Sequence, residues 1–231
     1  MTRAAAFFDV DRTLIRGSAA FPLAIAAYRE GWVSKRELAR DFANLVSFTL
    51  NGASDERSAA LRERILRAVV GHRAADVRAL ADTFAPDLAA KVFPAARRLL
   101  DEHAARGEDR ILVSASPVEI VERLADQLNL EGAVGTRGAV DAQGRYDGTL
   151  DGDFCYGEGK VHEVQRMAHA RGYDLAQSTA YSDSISDLPF LDAVGHPVAV
   201  NPDRELRQLA RARRWPIVEV AHGWRQLWRT R

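Results

Sequence analysis

The run Ala4–Leu14, AAAFFDVDRTL, constrains this chain more than any other stretch: five apolar residues in a row, then charge at Asp9 and Asp11, with Thr13 two further on. An unbroken apolar run of that length fits a strand buried on both faces, as in parallel sheets covered by helices. Open α/β sheets bind ligands at the carboxyl ends of such strands, and both aspartates fall at that end. Two carboxylates so close can divide labour, one ionised as nucleophile and metal ligand, the other holding a proton for acid/base work. A helix cap or a polar turn would use the same residue types, so the pair alone does not decide the chemistry.

The design recurs. Arg110–Ser116, RILVSAS, runs from apolar residues into small hydroxyls, and Ser114 and Ser116 there can bond a phosphate oxygen or cap the helix that Pro117 and Glu119 begin. Ser178–Ser182 ends in Asp183-Ser184-Ile185-Ser186-Asp187, again carboxylates after a strand. Leu130–Thr136, Pro197–Val200 and Ile217–Val220 complete the expected strands, the last as an edge, and Asn201-Pro202-Asp203 caps a further helix. With a helix from Pro94 to Arg106, the order from Lys91 onward is helix, strand, helix, the grammar of a Rossmann-like parallel sheet in an α/β fold.

Between the first strand and that sheet, four apolar stripes at helical spacing occupy residues 16–90. Phe21, Leu23, Ile25 and Tyr28 mark the first; Ser34 caps a second through Leu38, Phe42, Leu45 and Phe48; Leu61, Ile65, Leu66 and Val69 form the third; Val77, Leu80, Ala81 and Phe84 form the fourth. Helices with no intervening strand read as a bundle, expected as a separate lobe able to close over the strand end or as cover for the sheet. The chain thus divides into a core of 1–15 and 91–231 and a helical insert of 16–90.

Gly138–Gly157 is rich in Gly and Asp and reads as a hairpin; its aspartates lack the twelve-residue spacing and closing Glu of a calcium loop. After it, Lys160 opens a helix, where a cation opposes the macrodipole unless an anion lies nearby. No Walker loop surrounds it. Oxygen ligands from Asp9 and Asp183 suit Mg²⁺ if their strands are neighbours, whereas zinc would want His or Cys, and the six histidines are scattered.

Composition removes several classes. The 32 basic and 32 acidic residues cancel, which gives no electrostatic case for nucleic acid or an anionic membrane. One cysteine, Cys155, excludes an internal disulfide framework and fits the cytoplasm. No apolar stretch is long enough to span a bilayer, and the first run stops at two aspartates, unlike a signal peptide. Trp224, Leu227 and Trp228 in the tail are expected to pack as a helix on the core.

Taken together, Asp9-x-Asp11-x-Thr13, Ser114 after the second strand, Lys160 at a helix start, and Asp183-x-x-x-Asp187 resemble the haloacid dehalogenase superfamily of phosphohydrolases in both order and spacing. The insert is similar to the cap of its phosphoserine-phosphatase-like branch. The resemblance implies that Asp9 is the nucleophile and forms an aspartyl-phosphate, and that Asp11 is the general acid/base. It implies Mg²⁺ held by Asp9, the Asp11 backbone carbonyl and Asp183, with Asp187 supporting. Ser114, Thr13 and Lys160 would bind phosphate, and Lys160 would stabilise the transition state. The substrate implied is a small phosphate monoester, with no nucleic acid or membrane partner. The chain departs from the phosphoserine enzymes at Ser18, where they carry a glutamate for the serine ammonium, and at Ser114-Ala115-Ser116, where they are glycine-rich. Arg16, Ser18 and Phe21 are the expected contacts to the leaving group. Phosphotransfer to an alcohol, or phosphate-ligand binding without catalysis, would draw on the same residues.

Overall fold

The computed structural model describes residues 3–36 and 55–220. The expected helix through Leu38 and Phe48, and the Trp224–Trp228 tail, lie outside the described residues. Strand β1 (Ala5–Asp9) is followed by helices α1 (Ala20–Arg29), α2 (Asp55–Val69), α3 (Ala74–Ala90) and α4 (Pro94–Ala105). Next come β2 (Asp109–Pro117), α5 (Val118–Gln127), β3 (Gly132–Thr136) and a hairpin of β4 (Gly138–Val140) and β5 (Tyr146–Leu150). The chain continues through α6 (Glu158–Arg171), β6 (Thr179–Ser182), α7 (Leu188–Asp192), β7 (His196–Val200), α8 (Arg204–Arg213) and β8 (Ile217–Val218).

Six strands form one parallel sheet in the order β3-β2-β1-β6-β7-β8. The apolar N-terminal run lies at its centre, and every residue of β1 is buried. Alternation along the strand divides the core. Ala6 and Phe8 face the layer of α1, α3, α4 and α5, and Ala5 and Phe7 face that of α6, α7 and α8. Phe8 stacks on Tyr181 with ring centroids 4.4 Å apart. The Tyr181 hydroxyl lies 2.7 Å from Nε2 of His103, a core histidine only 1% exposed. The chain leaves β1 toward β2 and β3 on one side and returns to β6, β7 and β8 on the other. The reversal of strand order between β1 and β6 is where such sheets open a crevice.

The helical insert shares its core with the sheet. Val77, Leu80, Phe84 and Leu88 of α3 belong to the same apolar cluster as Phe8 and Leu112, and α3 lies along α5. Backbone bonds tie the β4–β5 hairpin to the α2–α3 connection: Gly71 N–H donates to Tyr146 O at 2.8 Å, Tyr146 N–H to His72 O at 3.0 Å, and Ala74 N–H to Gly144 O at 2.9 Å. The hairpin is anchored in turn by the Tyr146 hydroxyl, which donates to the buried Glu119 carboxylate at 2.5 Å. Among the described residues no helix is long and apolar enough to cross a membrane.

Candidate active site

Three buried carboxylates converge at the β1–β6 crevice. Asp9 ends β1, Asp183 follows β6, and Asp187 closes the short 3₁₀ turn Ile185–Asp187. Lys160, the third residue of α6 and 2% exposed, spans them: its Nζ lies 2.7 Å from Asp9 Oδ1 and 2.7 Å from Asp187 Oδ2. Asp187 Oδ2 also accepts from Ser182 Oγ at 2.6 Å. The start of α6 is packed so closely on the preceding loop that a Cβ on Gly159 would stand 2.1 Å from the Phe154 carbonyl oxygen. Glycine there is what lets the helix begin where Lys160 reaches the strands.

The electrostatics follow from burial. Desolvation pushes Asp9 up to about 6 against the pull of Lys160, with repulsion from Asp187 adding to the rise. Asp183 is pushed up to about 8 by burial and then by Asp9. Burial alone would depress Lys160, but the Asp187 and Asp9 carboxylates carry it above its ordinary value, so it stays an ammonium.

The loop after β1 sets Asp11 apart from these three carboxylates and brings Arg12 and Thr13 to Asp183. Buried Val10, Leu14 and Ile15 anchor it, with Leu14 and Ile15 N–H both donating to Val10 O, and Arg12 turns through a positive φ of 64°. Among the described residues Asp11 pairs with no ammonium: Ser18 Oγ donates to its Oδ2 at 2.9 Å and Ala19 N–H to its Oδ1 at 2.8 Å, at the entrance to α1. Burial raises Asp11, and these two bonds oppose the rise. Arg12 Nε lies 2.9 Å from Asp183 Oδ2, with Thr13 Oγ1 at 3.5 Å from Oδ1. Asp203 holds the Asp183 loop, its N–H donating to Asp183 O and its carboxylate accepting from Ile185 and Leu206 N–H, each at 2.8 Å.

Ser114 is buried one residue beyond Val113, which pairs with Asp9, so it adjoins the end of β1 from the neighbouring strand; its Oγ accepts from Ser116 N–H at 3.1 Å. The three residues expected to touch a leaving group lie on the loop after β1 and in the first turn of α1. Ser18 spends its hydroxyl proton on Asp11. Phe21 is half-buried in the first turn of α1. Arg16 lines a cavity of about 360 Å³ together with Arg12, Phe93, Asp183, Asn201 and Asp203. Sequence reasoning missed Arg12 and Asp203; the second lies three residues past β7, where it reads as the cap of α8.

The donor set fits a hard dication. Asp9 and Asp183 are close enough for mutual repulsion, and both would release their strain to a cation. Among the described residues no three His, Cys, Asp or Glu side chains gather into a full cage. A partial oxygen set of this kind suits Mg²⁺, which keeps waters and takes substrate phosphate as a ligand.

A parallel α/β sheet with carboxylates at its reversal point and an ammonium buried between them defines a class of hydrolase. The sequence matches the haloacid dehalogenase-like hydrolase family over residues 6–192. A probable phosphatase of Mycobacterium tuberculosis is 37% identical over 220 residues, covering 95% of this chain and 76% of that protein. A phosphoserine phosphatase of the same organism is 37% identical over 216 residues, covering 93% and 70%. A protein of unknown function from Bordetella pertussis superposes with a TM-score of 0.81 at 27% identity, covering 95% of this chain and 100% of that one. The chain belongs to the haloacid dehalogenase-like hydrolases, in their phosphoserine-phosphatase-like branch. It is a phosphoric monoester hydrolase.

Proposed function

We propose that this chain is a cytoplasmic, Mg²⁺-dependent phosphatase that hydrolyses a small phosphate monoester through an aspartyl-phosphate on Asp9. The observation that carries this reading is the separation of the two N-terminal aspartates: Asp9 faces the Lys160 ammonium at 2.7 Å, while Asp11 is held by a hydroxyl and a backbone N–H. Environments that differ in this way support Asp9 as nucleophile and Asp11 as acid/base. Residues 1–15 and 91–231 form the catalytic core, and 16–90 form the cap.

In the first step an Asp9 oxygen attacks phosphorus, the bond from phosphorus to the alcohol oxygen breaks, and Asp11 gives its proton to that oxygen. In the second, Asp11 takes a proton from water as the water oxygen attacks phosphorus, which releases inorganic phosphate and restores Asp9. Lys160 keeps its positive charge beside Asp9 and the phosphoryl group throughout, offsetting their negative charge, and Ser114 donates to a phosphoryl oxygen. Thr13 supports the loop beneath the phosphate, and Asp187 fixes Lys160. Asp9, the Asp11 backbone carbonyl and Asp183 would hold Mg²⁺, which would supply positive charge to offset that of the nucleophile and the phosphate.

Phosphate release from a panel of small monoesters tests the reading, with Asp9→Asn protein beside the wild type. The expected result is turnover that needs Mg²⁺, stops in chelator and is lost in the variant. Turnover undiminished in excess chelator, or retained by folded Asp9→Asn, would reject it.

A further inference from the structure

Apart from Asp183 itself, the cavity beside Asp183 is lined by residues to which the reaction above gives no role. Its wall carries two guanidiniums and two carboxylates, and three of these four charges are already matched. Arg12 and Asp183 pair at 2.9 Å, and the Asp203 oxygens accept from Ile185 and Leu206 N–H. Arg16 differs, pairing with no carboxylate among the described residues. It is also held in place. Its N–H donates to Lys91 O at 3.0 Å, beside the bridge that joins Ile15 to Val92, and its guanidinium lies over the buried Phe93 ring, 5.5 Å from the centroid. A cation stacked on an aromatic wall has less side-chain freedom to lose when an anion arrives.

We propose, resting on the reading of this site as a phosphomonoesterase, that Arg16 recognises a second anionic group on the substrate, so that the preferred esters carry a carboxylate on the alcohol portion. The wall argues against a cationic alcohol. An ammonium there would face Arg16, and the two carboxylates able to receive it are committed to Arg12 and to backbone N–H groups. Ser18, two residues beyond Arg16, donates to Asp11. A carboxylate meets the reverse situation: a planar fork of donors with its charge unmatched.

Three esters of similar size separate the possibilities: 3-phosphoglycerate with a carboxylate, glycerol 3-phosphate with a neutral alcohol, and phosphoethanolamine with an ammonium. The expected order of kcat/KM is carboxylate, neutral, cation. Arg16→Ala lowers the ratio of phosphoglycerate to glycerol phosphate by about tenfold, the worth of one charge-assisted bond, through KM, and Arg16→Lys restores part of it. Calorimetric titration of Asp9→Asn protein, and of metal-free wild type alongside, reads the same preference without turnover. If no ester is cleaved but phosphoglycerate still binds more tightly through Arg16, the phosphatase reading falls and the assignment stands. If esters are cleaved with a preference that Arg16→Ala leaves unchanged, hydrolysis stands and the assignment is overturned.

Discussion

Replacing Lys160 with methionine removes one ammonium and strands two buried carboxylates. Both contacts are 2.7 Å, and the side chain is nearly enclosed, so water cannot take its place cheaply. Breaking a buried charge pair by deleting one partner costs about 3–5 kcal/mol. Proton uptake limits that cost. Asp9 is pushed up to about 6 even with the ammonium present, and without it the folded-state value climbs further. A carboxyl whose folded value exceeds its unfolded one binds more protons when folded, so its folded state loses stability as pH rises through the folded value. The penalty of Lys160→Met is therefore small near pH 5 and approaches its full size near pH 8. Urea unfolding of metal-free protein at the two pH values measures it, and turnover should fall by about 10²–10³ from lost transition-state charge stabilisation. A loss under about 1 kcal/mol at pH 8, or one of equal size at both pH values, would refute the reasoning.

Gly159→Ala drives a Cβ to 2.1 Å from the Phe154 carbonyl, so urea unfolding should show a loss of about 1–3 kcal/mol, with kcat falling as Lys160 is displaced. Asp203→Ala strips the acceptor from two backbone N–H groups under the Asp183 loop, and should cost about 1–2 kcal/mol and weaken Mg²⁺ binding by calorimetry. Burial lowers His103, so the folded state binds fewer protons than the unfolded chain and stability is lost as pH falls through 6.5. In His103→Gln the fall in urea midpoint between pH 7 and pH 5.5 should shrink; an unchanged slope would remove His103 from the account.

Much of the core was legible because burial on two faces writes itself as continuous apolar sequence, and the end of each run marks where chemistry can stand. Asp9, Asp183 and Ser114 were read that way, and Lys160 from a cation placed against a helix dipole; the structure brings them into one crevice. Other features left no pattern of their own. The insert docks through backbone bonds between the hairpin and residues 71–74, which no side chain announces. Helix α3 continues through Pro86, where local rules would end it, because its apolar face is held on both sides of the proline by the shared core. The bond from the Ser18 hydroxyl to Asp11 is set by how the loop after β1 folds back on α1, and no spacing in the sequence marks it. Arg12 fell between the letters of a motif and had no periodicity to mark it.

The central claim is covalent chemistry on Asp9. Protein mixed with p-nitrophenyl phosphate and Mg²⁺, quenched in acid and reduced with borohydride, converts an aspartyl-phosphate to homoserine, which peptide mass spectrometry locates. The account predicts that conversion at position 9 and nowhere else, absent when substrate is omitted. Steady turnover of the ester with an unmodified Asp9, or with the label on another carboxylate, would contradict it.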